Sequence, residues 1–148
     1  MEKQNVCQHL SQVCGNKIPV ILNQENFLLK ANNFKIKQCL PDFHIIVNPA
    51  EKKGLNGRPK GGMFIAIPEH LKENVTDVSP GHWRLQACIL KLNMTNILIV
   101  NSYFPCDPKT RAFNDAELLE VFATIDKILE ECDFNQVVWG GDINCGWF

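Results

Sequence analysis

Two pairs of polar residues, each with a spacing of two, lie at the ends of apolar runs in this sequence. Asp142 and Asn144 follow one apolar run and a pair of glycines, and Asn101 and Tyr103 end another run. Because residues i and i+2 of an extended segment project to the same side, each pair presents its polar groups together. Glu25 follows a third apolar run and adds a second carboxylate from a distant part of the chain.

An all-oxygen set of this kind favours Mg²⁺ or Mn²⁺ over zinc. Mg²⁺ takes one or two carboxylates and leaves its other positions to water and phosphate, which is the arrangement used in phosphoester hydrolysis. The side chains therefore predict metal-assisted chemistry on a phosphate at the ends of strands. Each motif taken singly is also an ordinary surface carboxylate, edge aromatic or turn, and the joint order of the motifs carries the prediction.

A basic, glycine-rich loop spans residues 51–62 and holds Lys52, Lys53, Arg58 and Lys60. The whole chain has a formal net charge of −1 and a pI of about 6.4. Any contact with nucleic acid must therefore come from a local patch such as this loop, rather than from the overall charge.

The elements that must position these residues can be predicted from hydrophobic periodicity. The 148 residues suffice for one domain with a single core. Gly140-Gly141 is expected to end the last strand, and the alternation over 83–92 predicts a half-buried strand. This order fits an α/β sandwich with mixed sheets. The pattern predicts helices over 4–14 and 115–132, and strands over 18–22, 43–47, 63–67, 83–92, 96–103 and 136–139.

Four segments of the chain carry a resemblance to known proteins. Asn23 to Leu28 resembles a Gln-Glu-x-aromatic-Leu motif, and Gly57 to Met63 resembles a loop before an apolar strand. Asn101 to Pro105 resembles Asn-x-Tyr-x-Pro, and Trp139 to Asn144 resembles Gly-Gly-Asp-Phe/Leu-Asn. In this order the four motifs resemble the endonuclease/exonuclease/phosphatase superfamily, and within it most of all the apurinic-endonuclease-like domain of LINE-type (non-LTR) retrotransposon polyproteins.

The resemblance implies a two-layer mixed β-sandwich flanked by helices that cleaves phosphodiesters with a divalent metal. By motif position Glu25 would bind Mg²⁺ or Mn²⁺, and Asp142 would activate or orient the attacking water with Asn144 beside it. Tyr103 would donate a hydrogen bond to the scissile phosphate, and Asn101 would support that pocket. The four basic residues of the loop would contact DNA phosphates, which position DNA without reading its sequence.

The resemblance also implies that residues 1–148 form a partial domain. The family's first strand and its C-terminal Ser-Asp-His segment have no counterpart in the sequence, so we expect weak or no nuclease activity from this fragment. It would be a monomer or part of a larger polyprotein, and the loss of terminal strands would expose apolar sheet edges.

Two alternatives to the nuclease stay open at this point: a phosphatase of the same superfamily, and a non-catalytic nucleic-acid-binding remnant. Seven cysteines without a Cys-x-x-Cys pair indicate free thiols in a reducing compartment. The polar start lacks an apolar signal core, and no run approaches the roughly 18 apolar residues of a membrane helix. We therefore expect an intracellular protein, nuclear or cytoplasmic, without a membrane anchor.

Overall fold

A computed structural model of the chain describes residues 19–52, 54, 57–104 and 115–143. The helix expected over 4–14, Lys53 and Asn144 lie outside these residues. Within the described ranges, no helix is long and apolar enough to cross a membrane.

The described strands form two sheets. The first sheet has the order β1-β3-β2 and is antiparallel throughout, and the second has the order β4-β5-β6-β7, with only its β6–β7 pair parallel. Short 3₁₀ helices cover Lys30–Asn32 and Glu69–Asn74. The strands are β1 Ile21–Asn23, β2 Phe43–Asn48, β3 Met63–Pro68, β4 Val75–Asp77, β5 Leu85–Leu92, β6 Thr95–Tyr103 and β7 Gln136–Asp142, and the α-helices are α1 Phe34–Cys39 and α2 Asp115–Glu131.

The two sheets pack face to face, and each has a helix on its outer side. Ile65, Cys88 and Ile99 belong to the apolar layer between the sheets. Val100 packs with Val121 in the layer between the second sheet and α2, and a smaller cluster joins α1 to the first sheet. This arrangement confirms the two-layer mixed β-sandwich flanked by helices that the sequence predicts.

Two sequence-based expectations about the second sheet are wrong. β5 is buried on both faces, because Leu85 and Ala87 pack toward α2 while Cys88 and Leu90 face the first sheet. The alternating side chains of β5 therefore point into two different apolar layers, and neither face of the strand is turned to solvent. In addition, Gly140-Gly141 does not end β7, which continues to Asp142.

The paired glycines allow β7 to continue because they let it run close to its neighbours. A Cβ atom at Gly141 would lie 1.9 Å from the carbonyl oxygen of Ser102 in β6, and one at Gly140 would lie 2.5 Å from Leu22 Cδ1 in β1. The parallel pairing therefore extends to the last residues of both strands, where Tyr103 is paired with Asp142. The close approach places the end of β7 beside the ends of β6 and β1.

Candidate active site

A cleft of about 450 Å³ opens where the segment after β1, the basic loop before β3 and the end of β6 meet. Glu25 and Tyr103 line it together with Arg58 and Lys60 of the basic loop. The structure thus brings four of the sequence-predicted site residues to one surface. The remaining lining residues are Phe27, Gly57, Pro59, Gly61, Trp83 and Arg84.

The segment that carries Glu25 has an unusual backbone that two glycines of the basic loop hold in place. Glu25 and Phe27 both have positive φ angles, of 50° and 56°, which is uncommon for residues with a side chain. The backbone N–H groups of Asn26 and Phe27 donate to the carbonyl oxygens of Gly62 and Gly61, at 3.0 and 3.1 Å. The basic loop therefore supports the Glu25 segment in addition to presenting cations.

Asn101 lies behind the cleft and is fully buried. Its Nδ2 donates to the carbonyl oxygens of Asn23 in β1, at 3.0 Å, and of Phe64 in β3, at 3.2 Å. Its Oδ1 accepts a hydrogen bond from Gln24 Nε2. Asn101 therefore ties the second sheet to the strand end from which the Glu25 segment starts, and this placement suits a positioning residue.

The phenol of Tyr103 lies between charges of both signs. Burial raises its pKa above the ordinary value, as do a hydrogen bond to the Glu25 carboxylate and the charge of that carboxylate. The positive charge of Arg84 lowers the pKa, and the negative charge of Asp142 raises it further. The Tyr103 hydroxyl is therefore held protonated, as a hydrogen-bond donor to the Glu25 carboxylate.

Asp142 lies at the end of β7, paired with Tyr103 in the parallel register, and is not among the residues that line the cleft. Its carbonyl oxygen accepts a hydrogen bond from the N–H of Phe104 at 2.9 Å, which fixes the strand end. Glu25, in the segment after β1, and Asp142, at the end of β7, both raise the pKa of Tyr103 through their charges. Lys52 is exposed and likewise does not line the cleft, unlike Arg58 and Lys60 of the same loop.

Arg84 is a cleft residue to which the sequence analysis gave no role. Its guanidinium is buried, lies 3.9 Å from the ring centre of Trp83 and 5.0 Å from that of Tyr103, and donates through Nη2 to Glu117 Oε2 at 2.7 Å. Its Nε and Nη1 are buried without a hydrogen-bond partner in the described part of the chain. The signal in the sequence was an arginine at an inward-facing position just before a buried strand.

The oxygens of Glu25 and Asp142 are hard ligands, which fits Mg²⁺ or Mn²⁺ when water and phosphate complete the coordination. No cluster of three or more His, Cys, Asp or Glu residues that could enclose a metal occurs among the residues the structure describes. If Glu25 and Asp142 held such an ion, most of its coordination positions would be left to water and phosphate, as is usual for Mg²⁺ in proteins.

Comparison with known proteins gives a structural likeness. Neither a protein-family model nor a curated protein sequence matches the chain. The fold is similar to that of TDP2 from C. elegans, with a TM-score of 0.58 and 15% identity over 96% of this chain and 42% of that one. For a humanized D. rerio TDP2 the TM-score is 0.58 and the identity 14%, over 95% of this chain and 54% of that one. For D. rerio TDP2 complexed with a single-strand DNA product the TM-score is 0.55 and the identity 15%, over 95% of this chain and 52% of that one.

The likeness to TDP2 structures confirms the mixed α/β sandwich fold expected from the sequence. At 14–15% identity it concerns the fold alone. The chain spans about half the length of these solved structures, or less.

Proposed function

We propose that this chain is a divalent-metal-dependent phosphodiesterase that acts on DNA, of the type found in LINE-type retrotransposon endonucleases. The observation that carries the proposal is that Glu25 and Tyr103 line one cleft and that Asp142 is paired with Tyr103 in the sheet, although the three residues are far apart in sequence. The retrotransposon assignment rests on the four sequence motifs. DNA as the substrate is supported by the basic residues at the cleft and by the D. rerio TDP2 solved with a single-strand DNA product.

In this proposal Glu25 would hold Mg²⁺ or Mn²⁺. When bound, the ion would supply a positive charge that neutralises charge developing on the phosphate oxygens. Glu25 is well placed for this because its segment is fixed by backbone hydrogen bonds to the basic loop. A rigid ligand holds the ion in one position relative to Tyr103.

The other residues would bind the phosphate and orient water. Tyr103, kept protonated by its surroundings, would donate its O–H to a phosphate oxygen, and Arg84 would place a buried positive charge on the same side. Asp142 would accept a hydrogen bond from the attacking water, with Asn144 two residues further along. Asn101 would keep the two sheets in register behind them.

The basic loop would contact the phosphates on either side of the scissile bond. Arg58 and Lys60 line the cleft and would make the direct contacts. Lys52 and Lys53 belong to the same loop and would add attraction to the flanking DNA. Such contacts would position the strand without reading its sequence.

We propose weak turnover for these 148 residues, in line with the expectation from the sequence. No histidine is among the residues that line the described cleft. General acid catalysis typically contributes 10²- to 10⁴-fold, so a site without a second proton-transfer group would turn over slowly. Binding of metal and DNA would remain.

The first test is metal binding, which does not require turnover. Tyr103 is the single tyrosine of the chain, so its ring signals can be identified in an NMR spectrum without assignment. Mn²⁺ is expected to broaden these signals in the wild type and much less in Glu25→Gln. Glu69→Gln is the matched control, because Glu69 pairs with Lys37 elsewhere on the surface.

The second test is nicking of supercoiled DNA at high protein concentration with Mg²⁺ and with chelator. Slow, chelator-sensitive nicking that decreases in Asp142→Ala is expected. DNA binding that survives Asp142→Ala and Glu25→Gln, with no metal-dependent broadening of Tyr103 and no nicking, would refute the phosphodiesterase and favour a non-catalytic nucleic-acid-binding domain. Fast nicking that requires Asp142 would refute only the weak turnover.

A further inference from the structure

Phe27 is a cleft residue that the proposed hydrolysis leaves without a role. It has a φ of 56°, a conformation that is unfavourable for a residue with a bulky side chain. Its N–H is fixed by the hydrogen bond to Gly61, and its ring lines the cleft with Glu25 and Tyr103. The fold therefore accepts a local backbone cost and places an aromatic ring next to the proposed scissile phosphate, away from the apolar layers.

The ring of Phe27 is covered by a side chain that can leave it. The guanidinium of Arg58 lies 4.5 Å from the ring centre, and Arg58 is exposed to solvent. Cation–π pairs at exposed sites stabilise by only about 0.5–1 kcal/mol. A planar group that stacks more favourably can therefore replace the guanidinium.

Trp83, the other large aromatic residue of the cleft, is already engaged. The buried guanidinium of Arg84 lies 3.9 Å from its ring centre, and Gly61 packs so closely that a Cβ atom there would be 3.0 Å from a ring carbon. Arg84 is itself held by Glu117. Displacing it would break an ion pair whose arginine is buried, so Trp83 serves as a wall of the cleft and Phe27 is the aromatic surface that a ligand can reach.

We infer that Phe27 is a stacking platform for one unpaired nucleobase of the bound DNA strand, and that Arg58 covers the ring until the base arrives. The inference rests on the proposed function and names its substrate more closely: a strand that presents an unstacked base beside the cleaved phosphate, as at a single-stranded or frayed end. When the base takes the ring face, the guanidinium of Arg58 is released to a neighbouring phosphate. Every base has a π-face, so the platform would not select a sequence.

The test compares two single-stranded oligomers of equal length by fluorescence anisotropy, in chelator so that hydrolysis cannot occur. One is oligothymidine, and the other carries abasic residues throughout and so has the same phosphates without bases. Stacking of one base on an aromatic ring is worth roughly fivefold or more in affinity. The wild type should therefore bind oligothymidine at least about fivefold more tightly than the abasic oligomer.

Phe27→Leu should reduce the ratio of the two affinities toward one, because leucine fills similar space without a π-face. Phe34→Leu is the matched control: Phe34 is exposed on α1, outside the residues that line the cleft. It should keep the difference between the two oligomers. Equal affinities in the wild type, or a preference for thymidine that survives Phe27→Leu, would overturn the inference.

A second measurement needs no variant, in case Phe27→Leu does not fold. An abasic oligomer with a single 2-aminopurine base fluoresces strongly in solution, and stacking of that base on Phe27 should quench it on binding. Binding without quenching would overturn the platform and leave the phosphate contacts of the proposed function intact. Failure of both oligomers to bind at low salt would overturn the proposed function and the platform with it.

Discussion

Tyr103 is the residue whose ionisation reports most directly on the candidate site. Its pKa is raised by burial, by the hydrogen bond to Glu25 and by the charges of Glu25 and Asp142. In the unfolded chain the phenol ionises near 10. The fold therefore favours the protonated form, and this contribution to stability is present below pH 10 and is lost as the pH rises through the raised pKa.

The expected result is a Tyr103 pKa above 10 in the wild type, measured by ultraviolet absorbance of this single tyrosine. Glu25→Gln should lower the pKa toward 10 without reaching it, because burial remains. A Glu25→Gln pKa equal to that of the wild type would argue against the hydrogen bond between Tyr103 and Glu25.

Arg84 presents the opposite situation, a buried cation whose hydrogen bonds are incomplete. Its Nη2 is paired with Glu117, but Nε and Nη1 have no partner among the described residues. Buried polar groups without partners reduce stability, and replacement of a buried ion pair by apolar groups is often neutral or stabilising. A group kept at such a cost is better explained by a ligand than by the stability of the fold.

Arg84→Met removes only one partner of the pair and leaves Glu117 half exposed, so it should lower the free energy of unfolding only modestly. It should weaken oligonucleotide binding about tenfold or more. Urea unfolding and anisotropy titrations measure the two effects separately. Lys37→Met is the matched control, since Lys37 pairs with Glu69 at 2.6 Å on the surface, where ion pairs contribute little. If Arg84→Met lowers stability and leaves binding intact, Arg84 is a structural residue.

At the scale of elements, the positions of the site residues depend on close contacts between segments far apart in sequence. Gly62 has a φ of +88°, and a Cβ atom there would lie 2.3 Å from Asn26 Oδ1, which accepts a hydrogen bond from the N–H of Leu28. Gly81 has a similar φ of +76°, but a Cβ atom there would meet nothing within 4 Å. A substitution at either glycine therefore has the same backbone cost, but only a substitution at Gly62 also produces a steric clash.

Gly81→Ala should reduce the free energy of unfolding by about 1 kcal/mol, the usual cost of a left-handed residue with a side chain. Gly62→Ala should reduce it by more, and it should also abolish the Mn²⁺ broadening of the Tyr103 ring signals, because the clash displaces the segment that holds Glu25. Urea unfolding and NMR spectra with Mn²⁺ give the two readouts. Equal effects of the two substitutions would show that the basic loop does not position Glu25.

The sequence predicts the strand cores well apart from β4, because hydrophobic runs are local signals. The cleft is lined by four of its candidate site residues, Glu25, Tyr103, Arg58 and Lys60. The sequence could not assign a role to Arg84, whose partner Glu117 lies 33 residues away and whose stacking depends on the ends of β5 and β6. It also placed the end of β7 before Gly140. Glycine pairs usually end strands, and only the approach to Ser102 and Leu22 explains why glycine occurs here inside one.

At the scale of the whole molecule, β7 is an edge strand in the described part of the second sheet. Val137, Val138 and Trp139 are about half exposed, and Asp142 is the only charged residue of the strand. Trp139 is anchored through its Nε1, which donates to Ser102 Oγ at 2.8 Å, so the edge is held in an extended form. Long apolar edges without lysine or proline favour pairing with another strand.

The purified chain should therefore associate through β7 as its concentration rises, and Val138→Lys should reduce this association. A lysine at an edge strand opposes strand addition because its charge would have to be desolvated, while the exposure of Val138 allows the side chain to reach solvent. Met94→Lys adds the same charge at a turn between β5 and β6, where the side chain is 93% exposed, and should leave association unchanged. Sedimentation velocity over a range of concentrations measures the effect. A wild-type chain that stays monomeric throughout, or equal association of both lysine variants, would show that β7 is not the associating edge.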